Sequence, residues 1–276
     1  MIGEVLELIS LHNHTVFCDG KDTMEDFVKT ALNDGAAALG FSGHSHLPFD
    51  ERYCMTHKSE TDYNKEFDRL KDLYGSRIKL YRGIEAEFFG DSDLTPYEFV
   101  IGSAHFIHKG DAYLEIDESK ATVIKNVDKF YGGDYYAYVS DYYKTVAESA
   151  KRKEVDIVGH LDLVRKFNGD GKMFDEKSLK YLTPAYEAVE ELLPYDRIFE
   201  MNSGAVSRGY RTDPYIGADI LKFLHDHNVR VTVSADAHQA CNYRFMFDGM
   251  VEILKTVGYR EVWEYDGKDF VLFPLE

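Results

Sequence analysis

Histidine, aspartate and glutamate recur where short apolar segments of this chain end. Nine such residues stand out: His12, His14, Asp19, His44, Glu85, His105, His160, Asp236 and His238. Imidazole combined with carboxylate suits zinc, iron or manganese. One histidine at the end of an apolar segment is usually an ordinary hydrogen-bonded residue, but that explanation does not cover the repetition at six segments. Nine candidates exceed the needs of one ion, so the pattern predicts a site for two or three.

The apolar segments are interpreted as strands and the amphipathic stretches between them as helices. The predicted strands are Leu6–Leu11, Ala37–Ser42, Ile78–Ile84, Phe99–Ala104, Asp156–Gly159, Arg197–Met201 and Val229–Ala235. The predicted helices are Thr23–Asn33, Ser59–Tyr74, Lys120–Phe130, Tyr138–Lys153, Thr183–Leu193, Pro214–His227 and Phe247–Val257. This alternation favours an α/β fold with a parallel sheet. A closed barrel is favoured over an open sheet, because the Rossmann glycine pattern is absent after the first strand.

A parallel barrel would bring the nine residues together, since side chains from different strands converge at its carboxyl-terminal rim. Residues i and i+2 of a strand point to one face, so His12 and His14 can reach the same ion. Glu85 has two oxygens and can bridge two ions. The tyrosine-rich stretch 107–143 is interpreted as an excursion after the fourth strand, with most of its tyrosines 131–143 packed on the barrel.

Length and composition limit the class of protein. The 276 residues contain no Pro/Gly/Ser-rich linker, which favours a single domain over residues 1–276. The net charge of −17 argues against nucleic acid as the main partner. Three sparse cysteines fit a reducing compartment. No signal-peptide pattern or long apolar run is present, so we expect a cytoplasmic location and no membrane partner. The sequence does not indicate an oligomeric state.

Five short motifs resemble those of the polymerase and histidinol phosphatase (PHP) family, in the family's order. They occupy residues 12–20, 40–44, 83–87 with 102–105, 159–163 and 234–238. The length and the stretches 159–165 and 200–204 are most similar to stand-alone histidinol phosphatases. One departure is Gly43, which stands where an acidic residue is frequent in the second motif.

This resemblance implies a distorted (β/α)7 TIM-like barrel, the PHP fold, with three divalent transition-metal ions. By motif, the first ion would be held by His12, His14, Glu85 and Asp236. The second would be held by Glu85, His105 and His160. The third would be held by Asp19, His44 and His238. The implied activity is hydrolysis of L-histidinol phosphate, a step of histidine biosynthesis, by attack of a hydroxide that bridges two ions.

Further residues are predicted to assist hydrolysis. Arg208 and Arg165 are candidate phosphate clamps, because a guanidinium matches two phosphate oxygens at once. Lys166 and Arg211 compete with them for that role. Asp162 or His46 would give a proton to the leaving alkoxide. The substrate's ammonium and imidazole suit carboxylates and aromatic rings in loops, for which the candidates are Phe49, Asp50, Tyr113, Glu115 and Asp117.

Three alternatives remain open from sequence. A phosphoesterase of the same family acting on nucleotides or nucleic-acid ends is the nearest, although a basic track for the backbone would be expected. A metal-dependent sugar isomerase on a related barrel is an alternative of another class, but its centre is typically richer in carboxylates. A non-catalytic metal or phosphate binder would be favoured only if ligands were missing.

Overall fold

Ten strands and eight α-helices occupy residues 8–275, the part of the chain that the computed structural model describes. The strands are Ala38–Phe41 (β1), Lys79–Glu87 (β2), Phe99–Ser103 (β3), Phe106–Lys109 (β4), Ala112–Glu115 (β5), Ile157–Val158 (β6), Ile198–Asn202 (β7), Arg230–Ser234 (β8), Glu261–Tyr265 (β9) and Phe270–Pro274 (β10). The α-helices are Met24–Asn33 (α1), His57–Tyr74 (α2), Lys120–Tyr131 (α3), Tyr135–Ala150 (α4), Leu179–Leu192 (α5), Gly204–Ser207 (α6), Ala218–Asp226 (α7) and Phe247–Val257 (α8).

Six of these strands form one parallel sheet in the order β1-β2-β3-β6-β7-β8. They correspond to the second to seventh predicted strands, with bounds that differ by a few residues. Helices lie between most consecutive strands of this sheet, although residues 88–98 join β2 to the parallel β3 without a helix. The carboxyl ends of all six strands therefore meet at one edge of a curled sheet, and this places the candidate ligands together.

The first predicted strand, Leu6–Leu11, is described only from residue 8 onward, and that part is not a regular strand. Residues 6 and 7 lie outside the described part, and residues 8–12 have no strand conformation. The segment nevertheless bonds to both sides of the sheet. Ser10 O accepts from Gly40 N at 2.8 Å on one side, and His14 N donates to Ala237 O at 2.8 Å on the other. The six paired strands thus do not confirm the predicted count of seven, because this segment contributes isolated backbone bonds in place of a ladder.

Local sequence accounts for several helix boundaries. The Thr23 hydroxyl accepts from Asp26 N, and the Asp26 carboxylate accepts from Thr23 N, so a capping box begins α1.

In the tyrosine-rich stretch, Tyr138, Tyr142 and Tyr143 of α4 are fully buried. The prediction that these tyrosines pack on the barrel is confirmed for these three.

Two antiparallel hairpins were not predicted. Strands β4 and β5 pair within the excursion after β3, and β9 and β10 pair near the end of the described residues. Both are short, and neither carries a clear alternation of polar and apolar residues. No helix among residues 8–275 is long and apolar enough to cross a membrane.

Glu264 on β9 makes the stability of the fold depend on pH. Its Oε2 accepts from Ile9 N at 3.1 Å, while Oε1 has no hydrogen-bond partner among the described residues. Burial raises the pKa of this carboxyl to about 8, against the hydrogen bond from Ile9 and the charge of Arg244. The folded protein therefore keeps a proton that the unfolded chain releases above its usual pKa of 4.5.

The free energy of unfolding is expected to fall between about pH 5 and pH 8, by on the order of 1 kcal/mol per unit from this group, and to level off above that range. Glu264→Gln mimics the protonated carboxyl, so the variant should lose this contribution and show a flatter profile. Urea unfolding of both proteins across the range measures the difference. Parallel profiles would show that Glu264 does not titrate in this way.

Candidate metal centre

The nine predicted ligands gather at the carboxyl ends of the parallel strands. Seven of them line one cavity of about 300 Å³: Asp19, His44, Glu85, His105, His160, Asp236 and His238. The other two, His12 and His14, are fully buried next to it. The candidate ligands therefore lie together at one edge of the sheet, as expected from the strand ends.

Glu85 lies at the centre of this arrangement. Its Oε2 is 3.3 Å from His12 Nε2, 3.5 Å from His14 Nε2 and 2.9 Å from His44 Nδ1. Its Oε1 is 2.9 Å from His160 Nε2 and 3.6 Å from His105 Nε2. Each oxygen therefore faces a different set of imidazoles, so the two oxygens could bind different ions.

The ligand atoms fall into three groups, each within 4.8 Å. The groups are His14, Asp19, His44 and His238; His12, His14 and Asp236; and His44, Glu85 and His105. These differ slightly from the sets that the resemblance implies, since His14 and His44 each take part in two groups. His160 joins the centre through Glu85.

Several of these atoms lack a hydrogen bond although they are buried. His12 Nε2, His14 Nε2, Glu85 Oε2 and His160 Nδ1 have no such partner within the described residues. Leaving buried polar atoms unpaired is costly, and their concentration at one point calls for a further species. Imidazole nitrogens and carboxylate oxygens at this spacing fit divalent transition-metal ions.

Two further carboxylates, missed from the sequence, orient the histidines. Glu200 Oε2 lies 2.8 Å from His12 Nδ1, and Glu87 Oε1 lies 2.8 Å from His105 Nδ1. The hydrogen bond with Glu200 and the close contact with Glu87, which is also hydrogen-bonded to His44 Nδ1 at 3.1 Å, hold the two rings so that Nε2 faces the centre, as is usual for metal-binding histidines. A signal was present for both: Glu200 lies in a predicted strand, and Glu87 is two residues from Glu85 on β2 and points to the same face.

The electrostatics favour ionised carboxylates. Burial alone would raise the pKa of Glu85, but His44 and His12 hold it well below the usual value. Burial would lower the pKa of His12, and the charges of Glu200 and Glu85 outweigh it and raise that pKa. For His14, burial and the neighbouring His238 and His44 lower the pKa to about 3. Neutral His14 is thus ready to bind a cation, whereas His12 must first release a proton.

Arg208, a predicted phosphate clamp, lines the cavity. Its Nη2 lies 3.0 Å from Asp236 Oδ2, and its Nη1 lies 2.7 Å from His238 Nδ1.

Asp236 itself has a φ of 49°, in the left-handed region that is uncommon for residues other than glycine. Gly204 lies so close that a Cβ there would be 2.4 Å from Asp236 Oδ2. The position of Asp236 is therefore set by its backbone and by this glycine.

Arg165 and Asp162, two other predicted catalytic residues, do not line the cavity, so their catalytic roles stay predictions. Arg165 is buried and hydrogen-bonded to Asp213, and its Nη1 is 3.3 Å from Asp162 Oδ2. Asp162 Oδ2 also accepts from Gly217 N at 2.7 Å. The alternative Lys166 does line the cavity, where its Nζ donates to Asp117 O at 2.9 Å.

The competing Arg211 also lies outside the cavity lining. It donates to Glu176 Oε1 at 2.9 Å and to Asp213 Oδ1 at 2.9 Å. His46, the other predicted proton donor, is likewise absent from the lining and contacts Asp91 instead, at 2.6 Å between Nδ1 and Oδ1. Its role as proton donor stays a prediction: the backbone after β1 leaves the strand conformation, so the spacing of two from His44 does not place both rings at one site.

The outer wall of the cavity, formed by the lining residues other than the candidate ligands and Arg208, carries both carboxylates and basic groups. Glu115 and Asp117, both predicted to contact substrate, line it together with Lys166. The members of this wall that were missed from the sequence are Arg52, Tyr53, Glu118, Leu163 and Tyr210. The other predicted contacts lie elsewhere. Phe49 stacks on Tyr113 with ring centroids 3.8 Å apart, and Asp50 pairs with Arg52 at 2.5 Å.

Comparison with known proteins supports the same interpretation. The family model described as PHP domain matches residues 10–232. A protein of Deinococcus radiodurans named as a probable histidinol-phosphatase is 23% identical over 273 residues, covering 92% of this chain and 95% of that protein. The Bacillus subtilis histidinol-phosphatase is 23% identical over 268 residues, covering 87% and 97%.

A solved structure shares the fold. The histidinol phosphate phosphatase of Lactococcus lactis, solved with zinc, L-histidinol and phosphate, superposes with a TM-score of 0.70 at 18% identity. The match covers 96% of this chain and 98% of that one. The likeness extends over nearly the whole of both chains, so the curled parallel sheet with its helices is common to them.

Proposed function

This chain belongs to the PHP domain family, and on that premise we propose that it is a metal-dependent phosphomonoesterase that hydrolyses L-histidinol phosphate to L-histidinol and phosphate. The names of its relatives support this assignment, since the two histidinol-phosphatases above match over most of their lengths. The Lactococcus lactis structure, which holds zinc with L-histidinol and phosphate, supports the same substrate.

One observation carries the proposal: the cavity has two chemically different ends. Its floor consists of the candidate metal ligands, and its outer wall presents Glu115, Asp117 and Glu118. Burial alone would raise the pKa of Asp117, but Lys166 and His105 lower it, so this carboxylate is ionised. A substrate with a phosphate at one end and a cationic ammonium at the other fits both ends.

The floor is proposed to hold three divalent ions, with zinc, iron and manganese as candidates. His12, His14, Glu85 and Asp236 would hold the first. Glu85, His105 and His160 would hold the second. Asp19, His44 and His238 would hold the third. When bound, such ions lower the pKa of coordinated water and neutralise phosphate charge.

The chain's own residues then have distinct tasks. Arg208 faces the cavity beside Asp236 and His238, so its guanidinium is placed to bind phosphate oxygens and to stabilise the charge that develops on them. Lys166 adds a second positive charge at the wall. Glu200 and Glu87 keep the imidazoles of His12 and His105 in place. Among the described residues, the cavity lining contains no serine or cysteine and its histidines are all proposed ligands, so we propose a single displacement by water with no covalent phosphoenzyme.

The same premise extends to the finer features of the fold. We propose that residues 8–14 take the place of the seventh strand of the family's barrel, supported by their backbone bonds to Gly40 and Ala237. We also propose that the chain is a single domain and acts in the cytoplasm on a small-molecule phosphate ester.

Removal of metal tests this function. The purified protein is expected to release phosphate from L-histidinol phosphate. Dialysis against a chelator should lower that rate by at least about a hundredfold, because the transition-state charge loses its neutralisation. Adding back zinc, iron or manganese should restore it, and circular dichroism should show that the fold survives dialysis. Undiminished turnover after the metal content has fallen to zero would contradict metal dependence.

A further inference from the structure

A second set of ligand-type side chains lies outside the cavity. His46, His57 and Asp91 bring a ligand atom each to within 4.8 Å of one another, and we refer to these three residues as the outer cluster. His46 Nδ1 is 2.6 Å from Asp91 Oδ1, and His57 Nε2 is 3.5 Å from the same oxygen. The two imidazole rings pack with centroids 4.0 Å apart and an interplanar angle of 38°.

Three separate parts of the fold supply these residues. His46 lies in the loop after β1, His57 is the first residue of α2, and Asp91 lies in the loop after β2. Residues distant in sequence are thus held at ligand spacing by the fold. His46 is buried, whereas the side chains of His57 and Asp91 are 59% and 51% exposed, so an ion has access from solvent.

The surroundings are strongly acidic. Glu51 Oε1 is 3.4 Å from His46 Nε2, and Glu60 Oε2 is 3.7 Å from His57 Nδ1. Within the described residues, no lysine or arginine forms an ion pair with Glu51, Glu60 or Asp91. Three carboxylates therefore lie beside two imidazoles, an arrangement of ligand atoms that suits a divalent cation.

Glu60 has a different task from the other two acids. Its Oε1 accepts from His46 N at 2.9 Å and also from the Ser92 hydroxyl, so this carboxylate fixes the backbone beside His46. Asp91 and Glu51 remain the carboxylates that can turn towards an ion. The positive end of the α2 dipole weakly disfavours a cation here, and the three nearby carboxylates outweigh it.

We propose that the outer cluster binds one additional divalent transition-metal ion, with zinc the best match, through His46, His57 and Asp91. Two imidazoles and one carboxylate are a common ligand set for zinc, and Glu51 or a water molecule would complete a tetrahedral shell. This site does not depend on the proposed function, because it shares no ligand with the centre in the cavity.

The position of the outer cluster gives such an ion a structural consequence. The loop between His46 and His57 contains Arg52 and Tyr53, which line the cavity. Tyr53 packs edge-on against His44, with ring centroids 4.8 Å apart. An ion held by both ends of this loop would fasten it against the cavity wall.

Zinc content at equilibrium tests the proposal. The full-length protein, with its cavity centre filled, is dialysed against a series of buffered free zinc concentrations, and zinc per chain is measured by mass spectrometry. Wild type should reach a plateau one ion higher than His57→Ala and Asp91→Asn. Both replaced side chains are largely exposed, so the variants should fold, and circular dichroism checks this. His225→Ala, which removes a surface histidine beside Asp226, is the matched control and should equal wild type.

Thermal unfolding gives an independent measurement. Added zinc should raise the Tm of the metal-filled wild type and of His225→Ala, because a ligand that binds only the folded state stabilises it. It should not raise the Tm of His57→Ala or Asp91→Asn. Equal zinc plateaus for wild type and the two cluster variants would overturn the proposal. Phosphate release plays no part in either measurement, so failure of this site is distinguishable from failure of the proposed function.

Discussion

Glu85→Gln is expected to lower kcat/KM for L-histidinol phosphate by about a thousandfold or more, because the substitution weakens the binding of two ions at once. Each carboxylate oxygen of Glu85 faces a different group of imidazoles, and the 0% exposed side chain lies between them. Glutamine keeps the size but has one carbonyl oxygen and no charge. The metal content of the purified variant should fall with its activity, because a missing bridge weakens both ions.

Glu200→Gln provides the comparison for Glu85→Gln. Glu200 contacts His12 and His160 N but is not a proposed ligand, so its loss should weaken metal affinity by about 10- to 100-fold. Activity of this variant should therefore be largely recovered at high metal concentration, whereas that of Glu85→Gln should not. Full recovery of Glu85→Gln by added metal would contradict its role as a bridging ligand.

Arg208→Ala is expected to lower kcat/KM by about a hundredfold to a thousandfold, the usual cost of removing one donor that stabilises transition-state charge. The guanidinium lies in the cavity against Asp236 and His238, where a phosphate bound to the ions would meet it. Arg208→Lys should recover only part of the loss, because an ammonium lacks the planar fork that binds two oxygens. Steady-state kinetics with L-histidinol phosphate measures both variants.

Arg211→Ala is the matched control for Arg208→Ala. Arg211 is likewise a partly buried arginine, but it pairs with Glu176 and Asp213 outside the cavity lining. Its loss should lower Tm while leaving kcat/KM of the folded protein nearly unchanged. If Arg208→Ala behaved in the same way, with reduced stability and unchanged kcat/KM, Arg208 would not be a phosphate clamp.

The candidate metal ligands could be identified from the sequence because their positions follow from a general rule. Strands alternate with helices, so the strands are parallel and their carboxyl ends share an edge. A histidine or carboxylate at each end must then lie near the others. The exact bounds of the strands mattered less than the residues at their carboxyl ends. A shift of a few residues in the predicted bounds left His105 and His160 in the same place.

Residues after the strand ends could not be placed in this way. Residues 163–165 form one 3-10 turn, and its geometry directs Arg165 into a buried ion network and Lys166 into the cavity. One residue along the chain decides between the two, and charge type alone does not reveal the choice. His46 is a similar case, because its loop turns it towards α2 and away from His44.

Carboxylates that support ligands were missed for another reason. Glu87 and Glu200 belong to strands and read as ordinary strand residues, and their role depends on which histidine nitrogen they meet. Arg52 and Tyr53 reach the cavity from a loop whose path no periodicity describes. The apolar residues of the first segment match a strand, but the backbone bonds of its described part are too few for a ladder, so the count of seven strands is not confirmed.

The most direct measurement of the central claim is kcat/KM for a panel of phosphate esters, assayed by phosphate release with the metal-filled protein. The panel contains L-histidinol phosphate, a nucleoside monophosphate, a sugar phosphate and single-stranded DNA with a 3′ phosphate. We expect L-histidinol phosphate to be preferred over every other ester by at least about a hundredfold. The reason is contact between the ammonium of this substrate and the carboxylates of the outer wall. Equal or better hydrolysis of the nucleotide or the DNA end would contradict it.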